Sequence, residues 1–233
     1  MKFSRFEFKF SEERVVSSKF VKVLSPYLHL DPFSQNGSYR VDSIYFDCHA
    51  LKDFRDKQNA LLERGKFRLR SYGNITSQKV VFLEYKGKLG DFVVKDRIQL
   101  TRRMVDDILQ GIPLVNVLED RILEFSPKII KELINRPTLK PLTIVSYDRS
   151  AYFYIHDDRV RITHDTHVVS GPFSPSYRRK DLNSMRGGRS VVELKFLNSL
   201  PAVFNQHIKH LGLSRVSNSK AEFSFTENNI NWV

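Results

Sequence analysis

Cysteine is almost missing from this chain: Cys48 is the single thiol in 233 residues. One thiol cannot close a disulfide within the chain, and no cysteine-based zinc site can be built from it. Cys48 reads as a small buried apolar residue rather than a nucleophile. The seven histidines are scattered. His164 and His167 have a loose ligand-like spacing but no supporting cluster, so no His/Cys metal site is assigned. Long apolar runs are also lacking. No stretch approaches the roughly 18 consecutive apolar residues that a membrane-spanning helix needs. Residues 1–10 alternate polar and apolar side chains and have no apolar core, which excludes a secretory leader there. A cytoplasmic location is the default expectation. No internal repeat, low-complexity tract or domain linker is visible, so 1–233 is expected to form one domain, a size at which all-β barrels occur as single units. Negative charge is the last shortage. Only 26 acidic residues face 38 Lys and Arg, leaving a net charge of +12 and a pI near 9.8. An excess of this size points to an anionic partner: nucleic acid, an anionic membrane or polyphosphate.

Apolar material is plentiful, at 41%, and 18 Phe and 9 Tyr tilt the composition toward strands. Strict alternation dominates the pattern. Strands are expected at 5–10, 39–46, 62–72, 79–88, 92–100, 142–155 (one long strand or two), 159–169, 190–197 and 222–225. The pair 79–88 and 92–100 reads as a hairpin around Leu89-Gly90-Asp91. Helices are expected at 12–24, with Val15, Val16, Phe20, Val23 and Leu24 on one face, and at 102–110, 117–124, 127–134 and 201–211. Ser126-Pro127 resembles an N-cap followed by proline in the first turn. The longest irregular stretch, 171–189, is expected to be a mobile basic surface loop.

Side chains two apart on a strand share a face. That rule produces one pattern six times. Glu7 and Lys9 lie opposite Phe6, Phe8 and Phe10; Arg68 and Arg70 lie opposite Phe67 and Leu69. Glu84, Lys86 and Lys88 lie opposite Leu83 and Tyr85; Lys95 and Arg97 lie opposite Val94 and Ile98. Arg159 and Arg161 lie opposite Val160 and Ile162; Glu193 and Lys195 lie opposite Val192, Leu194 and Phe196. An ordinary solvated sheet face would mix both signs with Ser, Thr and Gln. Here basic residues outnumber acids, and the acids recur as Glu-x-Lys at 7, 84 and 193. Amphipathic helices can cover the apolar faces from outside, which would turn the charged faces toward a barrel lumen. Like charges about 4 Å apart repel by roughly 1 kcal/mol in water and about 4 kcal/mol at an effective dielectric near 20. An anionic ligand would relieve that repulsion, and glutamates among the cations suit Mg²⁺ or Mn²⁺.

Nine short segments then carry a resemblance. Arg5-Phe-Glu-Phe-Lys9, Val41-Asp-Ser-Ile-Tyr-Phe-Asp47, Lys66-Phe-Arg-Leu-Arg70, Phe82-Leu-Glu-Tyr-Lys86 and Val94-Lys-Asp-Arg97 come first. Ser146-Tyr-Asp-Arg149, Arg159-Val-Arg-Ile-Thr-His-Asp165, Val192-Glu-Leu-Lys195 and Ser219-Lys220 follow. In this order they resemble the VTC domain, the polyphosphate polymerase domain of the CYTH-like, triphosphate tunnel metalloenzyme superfamily. The resemblance implies an α+β fold: an antiparallel β-barrel, the triphosphate tunnel, with amphipathic helices packed outside. It implies a nucleoside triphosphate substrate, a Mn²⁺ or Mg²⁺ cofactor, and polyphosphate made by transfer of the terminal phosphoryl group. Arg68, Arg70, Lys86, Arg149, Arg161 and Lys195 are the implied catalytic cations. Lys9, Lys95, Arg97 and Lys220 are implied to bind substrate, and Glu193 and Glu84 to bind metal. Arg97 and Glu84 could pair with neighbours instead, and Glu7 and Asp47 could orient a basic neighbour. The hydrolytic branch usually opens with Glu-x-Glu-x-Lys; Arg5 stands at the first position here, which favours the polymerase branch. The eukaryotic domain is flanked by a phosphate-sensing domain and membrane helices, so regulation or export is expected to come from partners, a membrane protein among them. Three rivals stay open: a tripolyphosphatase or nucleoside triphosphatase, a non-catalytic polyphosphate-binding module, and a nucleic-acid binder. The last fits the charge but not its placement, because phosphate-tracking grooves pair cations with exposed aromatics, whereas the strand aromatics mostly lie opposite the charges.

Overall fold

A computed structural model describes residues 5–34, 36–48, 51–89, 92–217 and 219–229. The chain is α+β with a large antiparallel sheet. In chain order the elements are β1 (Arg5–Glu12), α1 (Arg14–Leu24), β2 (Leu28–Leu30), β3 (Tyr39–Asp47), α2 (Lys52–Gln58), β4 (Glu63–Tyr72), β5 (Val81–Leu89) and β6 (Phe92–Leu100). Then come α3 (Arg102–Leu109), α4 (Leu114–Val117), α5 (Pro127–Ile134), β7 (Lys140–Tyr154), β8 (Asp157–Pro172), β9 (Asn183–Ser184), β10 (Ser190–Leu197), α6 (Ala202–His210) and α7 (Lys220–Glu227). None of the described helices is long and apolar enough to cross a membrane. The turn expected at Gly90-Asp91 lies outside the described residues, as does the side chain of Arg5.

Contacts divide the chain into two compact units. The first comprises Met1–Arg40, Ser146–Val169 and Ser184–Ser219. In it β10 pairs antiparallel with β1 on one side and β8 on the other, with Lys9 opposite Glu193 and Lys195 opposite Arg161. Alternation sends Phe10, Val160, Ile162, Val192, Leu194 and Phe196 to one face, where Phe20, Val21 and Leu24 of α1 and Phe204 of α6 cover them. Val15 was expected on that helix face but is exposed; Ser17 takes the inward position and hydrogen-bonds His164.

The second unit comprises Val41–Val145, Ser170–Asn183 and Lys220–Val233. Its strands run β3-β4-β5-β6, all antiparallel. Phe67, Leu69, Leu83, Tyr85 and Ile98 form the apolar face, packed against Val105 and Ile108 of α3, Leu114 of α4, and Ile129 and Leu133 of α5. Thr101 caps α3 by accepting from the Met104 N–H, and Pro127 opens α5. Residues 222–225 are not the expected strand. They lie inside α7, where Ala221, Ser224 and Phe225 are buried at helical spacing and Phe225 meets Phe54 of α2. Four alternating residues are too few to tell the two periods apart. The helix α2 was not foreseen; Asp47 nucleates it by accepting from the Cys48 and Asp53 N–H groups through Oδ1 and from Phe54 N–H through Oδ2. That is the role of Asp47, rather than orienting a basic side chain. The stretch 171–189 carries more order than a loop: two 3₁₀ turns, β9 and a buried Met185.

Glycine matters at one contact here. Gly65 and Gly87 face each other across β4 and β5 and bracket the Tyr85 ring. A Cβ on Gly87 would lie 2.7 Å from Tyr85 Cε1, and one on Gly65 only 2.1 Å from its hydroxyl. Gly87→Ala is therefore expected to destabilise the chain by about 1–3 kcal/mol, the usual cost of overpacking, read as a lowered urea midpoint. An unchanged midpoint would refute the close approach.

Candidate functional site

In both units the strand face opposite the helix-covered core is built of cations whose few acids are engaged by them. The first unit centres on Glu193, buried on β10. Its carboxylate meets Lys195 at 2.5 Å and Lys9 at 3.8 Å, and Lys9 also meets Glu7 at 2.7 Å. Burial pushes the Glu193 carboxyl up, but Lys195 and then Lys9 outweigh it and hold it well below the usual carboxylate range. On β7, Arg149 forms a two-point pair with Asp165 of β8, Nε to Oδ1 at 2.6 Å and Nη2 to Oδ2 at 2.8 Å. Asp165 is fully buried. Burial alone would lower the Arg149 guanidinium, yet the facing Asp165 carboxylate raises it well above its ordinary value. Arg161 on β8 donates to the buried Asp31 at 2.7 Å and lies over the Phe153 ring. Its neighbour Arg159 turns to Asp157 at the exposed start of the strand.

In the second unit, Arg68 of β4 meets Glu84 of β5 at 2.6 Å, and Arg70 reaches the same carboxylate oxygen at 4.0 Å. Burial raises the Glu84 carboxyl; Arg68 and then Arg70 outweigh it, and the net shift is downward. Arg70 also donates to the Ser43 hydroxyl through Nε and Nη2, at 3.3 and 3.2 Å. Strand register places Glu84 opposite both Arg68 and Arg97, and Lys86 opposite both Lys66 and Lys95. Arg97 is exposed and stacks 4.5 Å from the Phe82 ring, so it does pair with a neighbour. Lys220 opens α7. The expected site residues thus fall into two groups. Lys9, Arg149, Arg161, Glu193 and Lys195 stand in the first unit; Arg68, Arg70, Glu84, Lys86, Lys95, Arg97 and Lys220 stand in the second.

Sequence reasoning missed the residues that hold these cations. Asp31, Asp165 and Ser43 set the Arg161, Arg149 and Arg70 side chains. Asp165 and Ser43 carried a signal, since both lie in segments that carry the resemblance; Asp31 lies in none of them. Tyr45 was also missed. It shares the charged face, and with Phe82 it is an exception to the rule that strand aromatics lie opposite the charges.

Among the described residues no three His, Cys, Asp or Glu side chains converge in a metal-holding group. Mg²⁺, however, typically takes one or two carboxylates and completes its shell with water and substrate phosphates. Glu193, with Glu7 gripping the same lysine, fits that pattern. Glu84, the other expected ligand, is shared by Arg68 and Arg70 much as Glu193 is shared by Lys195 and Lys9.

Comparison of the fold gives the class. Over 97% of both chains, at 14% identity and a TM-score of 0.62, it matches the putative adenylyl cyclase HpAC1 from Hippeastrum, described as having a dominant triphosphatase activity. The PH1819 protein from Pyrococcus horikoshii OT3 matches with a TM-score of 0.50 and 15% identity, over 97% of this chain and all 100% of the other. At such identities the likeness establishes the fold alone. No curated protein matches the chain. The VTC domain model matches residues 4–223, and the chain belongs to the VTC domain family.

Proposed function

We propose that this protein is a metal-dependent phosphotransferase of the polyphosphate polymerase type, moving the terminal phosphoryl group of a nucleoside triphosphate onto a polyphosphate chain. The closed-barrel form of the antiparallel sheet belongs to the same proposal. The observation that carries it is the pairing of VTC membership with two strand faces whose cations are pre-oriented by acids, the buried Asp165 on one and the half-buried Glu84 on the other. Phosphoryl transfer asks the protein chiefly for positioning and charge neutralisation. Arg68, Arg70, Lys86, Arg149, Arg161 and Lys195 would hold non-bridging phosphate oxygens; Lys9, Lys95, Arg97 and Lys220 would extend that grip along the chain. Asp165, Asp31 and Glu84 fix the arginines before substrate arrives, so little side-chain entropy is lost on binding. Glu193, with Glu7, would hold Mn²⁺ or Mg²⁺, which supplies Lewis-acid neutralisation of phosphate charge. An oxygen of the acceptor phosphate attacks the terminal phosphorus, and the nucleoside diphosphate leaves; no protein nucleophile is required.

Two measurements test this. Tripolyphosphate at 100 times its dissociation constant should stabilise the protein by about 2.7 kcal/mol, a rise of roughly 5–10 °C in melting temperature for a chain of this size. The absence of any rise would remove the phosphate site. Incubation with ATP and Mn²⁺ should yield long polymer on a gel, and Arg68→Ala should abolish it while the protein still melts cooperatively. A second reading, hydrolysis to free phosphate, is favoured by the fold likeness to a protein described as a triphosphatase. Free phosphate without polymer in the same incubation would select it, and binding without turnover would select a polyphosphate-binding module.

A further inference from the structure

Tyr45 stands where a core aromatic would not. It lies opposite Arg68 in the β3–β4 register, on the cationic face, yet is only 4% exposed. Its hydroxyl lies 3.5 Å from Arg68 Nη1, and the Lys66 amine sits 5.4 Å from its ring centroid. Guanidinium and ammonium groups only donate hydrogen bonds. When Arg68 donates to the phenol oxygen, the phenol's own hydrogen is left to serve an acceptor. Lys66 in turn opens a row: it faces Lys86 on β5, which faces Lys95 on β6. Like charges directly opposite one another across strands are destabilising. An anion lying across a row of three lysines is attracted by all three.

We propose that Tyr45 and Lys66 are further phosphate-contacting residues, the Tyr45 hydroxyl donating to a phosphate oxygen that Arg68 also holds and Lys66 extending the Lys86–Lys95 row. This rests on the phosphate-handling reading above and gives a role to two residues of the matching segments, Tyr45 and Lys66, for which the resemblance implied none. The charged groups facing the phenol are Lys66, Arg68 and Arg70 of β4, with Glu84 of β5 beyond Arg68. Burial would raise the phenol, but Arg68, Lys66 and Arg70 outweigh it and bring it down to about 7. The sign follows. Below pH 7 the phenol is neutral and donates. Above it the phenolate repels phosphate until it regains a proton, so affinity falls as pH rises toward 9.

The test is calorimetric titration of the full chain with tripolyphosphate at pH 6.5, 7.5 and 8.5. Tyr45→Phe and Lys66→Met are each expected to weaken binding about tenfold at pH 6.5, equal to about 1.4 kcal/mol. Tyr45→Phe is also expected to lose the extra decline above pH 7, while the titration of tripolyphosphate itself acts on both proteins alike. Equal affinities of both variants and the parent would overturn the inference and leave the proposed function standing. Parallel pH profiles would reduce Tyr45 to a packing role and overturn its part. If the parent itself fails to bind tripolyphosphate, the phosphate-handling reading falls and this inference with it.

Discussion

Glu193→Gln is expected to abolish metal-dependent turnover while tripolyphosphate binding survives. The substitution keeps shape and one acceptor oxygen for Lys195, which stands 2.5 Å away. It removes the anionic oxygen that would hold a hard cation, and metal neutralisation of phosphoryl charge is worth several kcal/mol. A loss of 3 kcal/mol is a rate loss of about 100-fold, so turnover should fall by at least that. Binding should move the other way. With the carboxylate gone, Lys9, Lys195 and Arg149 lose a local counter-charge, and a polyanion takes its place. The ligand-free variant should melt below the parent, and the gap should narrow with tripolyphosphate. Unchanged turnover in pure variant would remove Glu193 from the mechanism. Joint loss of binding and turnover would make it structural.

Asp165→Asn should give the largest loss of stability. The aspartate is fully buried and meets Arg149 at two points. Removing one partner of a buried pair strands the other charge and costs about 3–5 kcal/mol. For a chain of this size that is a fall of roughly 6–20 °C in melting temperature. The amide nitrogen of Asn would also face a guanidinium that only donates. Adding Arg149→Met should restore much of the loss, because two apolar or neutral groups cost less than one stranded ion; the double-mutant cycle then isolates the pair. The restored protein should still bind tripolyphosphate more weakly than the parent. A melting temperature within 2–3 °C of the parent for Asp165→Asn alone, about what 1 kcal/mol moves, would contradict the pair.

Most strands and the helix at 127–134 were legible because their signals are local and long. Where signals were short, as at 222–225, tertiary burial decided between helix and strand. The helix at 52–58 has no strong apolar period; it exists because Asp47 caps its first backbone amides. The site divides along the same line. That Arg68 and Arg70, or Glu84 and Lys86, share a face follows from the two-residue period of a strand, which covalent geometry imposes on any sequence. Which residue stands opposite them does not follow. Arg161 finds Asp31 across 130 positions, and Arg149 finds Asp165 across 16. The Lys66–Lys86–Lys95 row and the Tyr45–Arg68 meeting exist only through strand register. Register is set by how the apolar faces bury against their helices, and one residue of slip would exchange every charged side chain for an apolar one. The sequence by itself determined that cationic faces exist and which residues they hold; the tertiary structure alone decided their partners, because partners on different strands are chosen by packing rather than by neighbouring bonds.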